Sequence, residues 1–148
     1  MDTNRHARAN TPPASGPANV AGAVTPWGVE LVLDLHGCNL EMISDGDVLR
    51  RFASVLVAQL GMTAWGEPLC ERFALHDPDA AGYSLVQLIT TSSITAHFAE
   101  RSRTAFLNIF SCQPFDTDTV TAFVAAFFDA SHSTSRVIHR WAGAAPQT

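Results

Sequence analysis

The sequence predicts an α+β fold, a two-layer sandwich in which an antiparallel sheet carries two helices on one face. Three observations predict it. Short apolar segments bounded by Gly, Pro, Asp and Ser recur through the middle of the chain, as strands do. Only two segments space their apolar residues at three and four, the period of a helix. At 148 residues, 47% hydrophobic and 16% charged, the chain has room for one core and not for two.

The elements follow in order. Residues 28–36 mix β-branched and leucine positions and stop at Gly37, a first strand. Ser44-Asp-Gly-Asp47 offers capping side chains, and Val48, Leu49, Phe52, Val55, Leu56 and Leu60 continue as a helix that Gly61 closes. Residues 67–75 read as a second strand, ended by the turn-forming segment 76–82. Residues 83–90 are a third strand, and 94–98 continue it past an interruption at Ser92-Ser93. Residues 104–111 make a fourth strand. Asp116 starts a second helix with apolar Val120, Phe123, Val124, Phe127 and Phe128, and residues 135–141 close the chain as a last strand. The order is β-α-β-β-(β)-α-β, in outline β-α-β-β-α-β. The polar, Pro- and Ala-rich residues 1–26 read as a disordered tail and 142–148 as a flexible end, leaving a working domain of 27–141. A sheet covered on one side leaves its other face wet unless a second subunit packs there, so a homodimer is expected.

Composition narrows the function. The net charge is −5 and every basic residue is an arginine, with no run that tracks a phosphate backbone, so nucleic acid is not an expected partner. No hydrophobic stretch is long enough for a signal or anchor, so no membrane is expected either. Cys38, Cys70 and Cys112 are an odd number and read as free thiols in a cytoplasmic setting. His36, Cys38, Cys70, His76 and Cys112 are metal-ligand types without the spacing of a zinc site, and no metal is expected.

The chemistry-bearing stretch is Thr90-Thr-Ser-Ser-Ile-Thr-Ala-His97. His97 follows Ser92 by five residues and Cys112 follows it by twenty. Each residue alone has a structural explanation: a serine pair in a turn, a half-buried histidine with one hydrogen bond, a cysteine in packing. Together they offer a hydroxyl, a base and a thiol at the ends of neighbouring strands. No Gly-rich phosphate loop, G-x-S-x-G elbow or H-E-x-x-H occurs.

Read jointly, Asp34-Leu-His-Gly-Cys38, Gly82-Tyr-Ser84, Thr91-Ser-Ser-Ile-Thr-Ala-His97 and Phe110-Ser-Cys112 resemble the bacterial-type S-adenosylmethionine decarboxylase family. That family shows a D-L-x-G-C-like first strand, then E-S-H-(hydrophobic)-(S/T)-I-H-T-W-P-E, then D-x-F-T-C. The resemblance runs from Ser84 to Cys112 without a gap, and the element order agrees.

It implies a proenzyme of polyamine biosynthesis that cuts itself between Thr91 and Ser92. Ser92 Oγ attacks the Thr91 carbonyl to form an ester, and β-elimination and hydrolysis leave a pyruvoyl cofactor made from Ser92. A Schiff base between substrate amine and pyruvoyl is an electron sink that no side chain supplies. His97 serves processing as base, Ser84 hydrogen-bonds near the scissile peptide, and Cys112 reprotonates the product carbon. Phe73 matches an aromatic residue that the family places against adenine.

The departures bear on substrate. Thr91 replaces the family's glutamate and Ser93 its histidine. In the ungapped register Arg101 stands where the family has a ribose-binding glutamate, and arginine has no acceptor. Glu100 is one residue away and, on a regular strand, faces the other side. Two small-molecule substrate classes therefore stay open: S-adenosylmethionine, and L-ornithine or L-arginine, whose cationic tail would need an acid such as Glu30, Asp34, Glu71 or Glu100. An unprocessed regulatory paralogue is the third reading.

Overall fold

Leu31, Leu33 and Leu35 alternate along strand β1 (Gly28–His36), and all three are completely buried. That alternation gives the sheet one dry side. The computed structural model describes residues 25–143. The expected flexible segments 1–26 and 142–148 thus lie almost wholly outside the described residues.

After β1 come a one-turn helix α1 (Leu40–Ile43) and helix α2 (Gly46–Gln59). Strands β2 (Thr63–Phe73), β3 (Gly82–Thr90), β4 (Ser92–Ala99) and β5 (Thr104–Ser111) follow, then α3 (Thr117–Phe127) and β6 (His132–Arg140). All pairings are antiparallel, in the order β2-β3-β4-β5-β1-β6. The predicted fold class holds.

Both long helices start where capping chemistry places them. Asp45 accepts from the N–H groups of Asp47 and Val48, and Asp116 from those of Asp118 and Thr119. Their apolar faces meet over the sheet: the Phe52 ring of α2 lies 4.6 Å from Phe128, and Phe128 lies 5.2 Å from Phe98 of β4.

Three boundaries differ from the sequence reading. Strand β2 begins at Thr63 and absorbs Gly66 and Pro68 in a bulge between Trp65 and Leu69. Buried Gln87 holds that bulge, its amide donating to the carbonyls of Trp65 and Gly66 at 3.3 Å. Ser92-Ser93 is no interruption. The chain reverses at Thr90-Thr91, so 94–98 belongs to a separate strand paired antiparallel with β3. Strand β6 begins at His132, where His36 pairs with it.

The face away from the helices is open. Register places Trp65, Leu69, Val86, Leu88, Phe106 and Ile138 on it, all exposed. So much apolar surface on one sheet face marks an interaction surface.

Candidate active site

The β3–β4 turn and the register of β4 against β5 assemble the first half of the site. Ser92 pairs with Ser111, which brings the next residue of β5, Cys112, beside the turn. The Ser92 hydroxyl donates to the Thr91 carbonyl. Cys112 N–H donates to Ser92 Oγ at 3.1 Å, and Cys112 Sγ lies 3.3 Å from the Thr91 oxygen and 3.6 Å from Ser92 Oγ. One hydroxyl, its neighbouring carbonyl and one thiol thus share a single point. A cavity of about 630 Å³ opens beside Cys112, walled by Trp27 and Trp141, two residues no sequence pattern marked.

The three thiols differ in environment. Burial pushes the Cys38 and Cys70 thiols up from the ordinary cysteine value, the direction desolvation dictates for a group that would become an anion. Cys112 is half-buried beside the cavity.

Ser84 and His97 form the second half. They face each other across β3 and β4 on the open side, with Ser84 Oγ 2.9 Å from His97 Nδ1. His97 Nε2 lies 3.0 Å from the carbonyl of Ala80. His97 therefore has partners on both ring nitrogens. Within one chain the two halves do not meet. Five residues of strand separate Ser92 from His97, roughly 16 Å at the rise of an extended chain.

The substrate-side candidates cluster at the His97 end. Strand β4 stops at Ala99, and Glu100 keeps to the helix side of the sheet, where Phe98 is buried and where its partner Arg72 shares the face of Cys70. Its carboxylate is largely buried, with Oε2 accepting from Arg72 and Oε1 buried without a partner. Arg101 turns away to Asp79 at 3.0 Å. Phe73 is 54% exposed on the open face at the end of β2. Glu71 and Asp34 lie on the same row of that face as His97, whereas Glu30 is engaged by Arg140 at 2.6 Å. The role of Arg72 has no signal in the sequence.

Among the described residues no group of three or more His, Cys, Asp and Glu is placed to hold a metal ion. No described helix is long and apolar enough to cross a membrane.

The fold and site define an α+β domain with a serine–thiol pair at the head of one strand and a serine–histidine pair near its other end. A family model described as S-adenosylmethionine decarboxylase matches residues 29–141. The chain belongs to that family, a family of pyruvoyl-dependent decarboxylases. Among solved structures it is similar to the crystal structure of the adenosylmethionine decarboxylase from Aquifex aeolicus, with a TM-score of 0.69 and 16% identity over 84% of this chain and 99% of that one. At that identity the likeness is one of fold. No curated protein sequence matches the chain.

Proposed function

We propose that this chain is a self-processing pyruvoyl-dependent decarboxylase acting on S-adenosylmethionine, cut between Thr91 and Ser92. One observation carries the reading: the Ser92 hydroxyl rests on the Thr91 carbonyl, with Cys112 Sγ 3.6 Å from the same Oγ. Ester formation needs the Ser92 Oγ–Thr91 carbon bond to form as the Thr91–Ser92 C–N bond breaks, the amide nitrogen taking the hydroxyl proton. The Cys112 contacts hold both atoms in place for that exchange. A pyruvoyl group at position 92 would supply the electron sink for decarboxylation, and Cys112 would stand beside it as proton donor.

The separation of Ser92 from His97 points to a homodimer. A two-fold axis running across β4, between two stacked open faces, lays the Ser92 end of one strand over the Ser84–His97 end of the other. The same stacking covers Leu69, Val86, Leu88 and Phe106, and carries Phe73 toward the partner's Ser92.

L-ornithine or L-arginine is the second substrate reading, and Glu71 and Asp34 favour it. Both lie on the open face in the row of His97. A carboxylate there suits the cationic tail of such a substrate.

The test is intact mass and denaturing electrophoresis of the purified chain. Fragments 1–91 and 92–148, the second with a blocked N-terminus, are expected. A single uncut chain overturns the proposal in favour of an unprocessed paralogue. Carbon dioxide release from carboxyl-labelled adenosylmethionine, ornithine and arginine then separates the substrates.

A further inference from the structure

We propose that the turn spanning residues 77–81 is the positioning element for His97: its Ala80 carbonyl locks the imidazole in the Nε2–H tautomer, and Asp77 builds the turn. The inference draws its catalytic meaning from the processing reading, but its test does not depend on it.

A main-chain carbonyl only accepts. Since Ala80 O lies 3.0 Å from His97 Nε2, that nitrogen carries the hydrogen. The neutral ring then has its lone pair on Nδ1, 2.9 Å from Ser84 Oγ, so the Ser84 hydroxyl donates to it. The direction matters. With its hydrogen committed to Nδ1, Ser84 presents only lone pairs outward, toward whatever donor a second chain brings. The other tautomer reverses this polarity and removes the base from the Ser84 side.

Nothing in β3 or β4 aims the Ala80 carbonyl; the turn does. Asp77 Oδ1 accepts from Asp79 N–H at 3.0 Å, and the Asp77 carbonyl accepts from the N–H groups of Ala80 and Ala81 at 3.1 and 2.8 Å. The turn is then pinned to the end of β4. Glu100 N–H donates to the Ala81 carbonyl at 3.2 Å, and Arg101 reaches Asp79. Gly82 allows the close approach, because a Cβ there would lie 1.7 Å from the Phe98 carbonyl oxygen. A Ser–His pair is thus oriented by a main-chain acceptor, where hydrolytic triads use a carboxylate.

The experiment is nitrogen-15 NMR of the imidazoles in the full-length chain, with His97→Gln assigning the resonance. The expected result is a His97 ring protonated on Nε2 and bare on Nδ1. Asp77→Ala should turn that single tautomer into a mixture and slow self-cleavage by roughly tenfold. Asp77→Asn keeps an Oδ1 acceptor and should restore both. A wild-type ring carrying its hydrogen on Nδ1 overturns the proposal. An unchanged tautomer in Asp77→Ala overturns it too, whatever the cleavage rate. A wild-type chain that never cleaves removes the processing reading, while the tautomer measurements still decide this one.

Discussion

Co-expression of His97→Ala and Ser92→Ala chains under different tags tests whether the site is shared between two copies. Ser92 and His97 sit five residues apart on β4, about 16 Å at ~3.3 Å per residue, whereas a base acts at about 3 Å. No side-chain rotation closes that gap within one chain. In a two-fold dimer each site takes Ser92 from one protomer and His97 from the other. A mixed dimer then holds one complete site, and the chain cut there is the His97→Ala chain. Random assortment makes half of the dimers mixed, so about half of the His97→Ala chains should be cleaved, against little cleavage of either variant alone. Tag-specific electrophoresis and intact mass read the fraction. If isolated mixed dimers contain no cut His97→Ala chain, the shared site is wrong. Wild-type cleavage of His97→Ala alone would remove His97 from processing.

Phe128→Ala should cost about 3–5 kcal/mol in urea unfolding, since the ring is fully buried between Phe52 and Phe98; a loss below about 1 kcal/mol contradicts that shared core. A thiol reagent at mildly alkaline pH should label Cys112 first and reach Cys38 and Cys70 only with denaturant. Burial raises those two pKa values, so less thiolate is present at any given pH; native-state labelling of all three at one rate would refute this. Asp116 is held below the ordinary aspartate value of 3.8, chiefly by the N–H of Thr119. A lowered folded pKa stabilises above the unfolded value, and that contribution disappears as pH falls through the folded one. The stability gap between wild type and Asp116→Ala should therefore narrow below about pH 4; a gap independent of pH would show that the charge plays no part.

Much of the fold was legible because its signals are local. The alternation of Leu31, Leu33 and Leu35 and the caps Asp45 and Asp116 act over a few residues, and each marks its element. Gly66 and Pro68 read as strand breakers in sequence, yet a distant side chain, Gln87, holds them in a bulge within β2. The hairpin at Thr90-Thr91 is hidden in the sequence because the threonines carry strand propensity and the serines turn propensity, the reverse of their use here.

The site divides the same way. Ser92, His97 and Cys112 can be counted along the chain by their spacing, and the family resemblance gives them their expected roles. The sequence by itself also determined the fold class and the family resemblance, since both rest on pattern. Only the tertiary structure decided which of those residues meet. Strand register brings Cys112 to Ser92, and strand length holds His97 away from both. It likewise decided that Arg72 holds Glu100 and that Ala80 orients His97. The physical reason is that a hydrogen bond acts over about 3 Å, so its partners depend on how distant segments stack, which no count along the chain records.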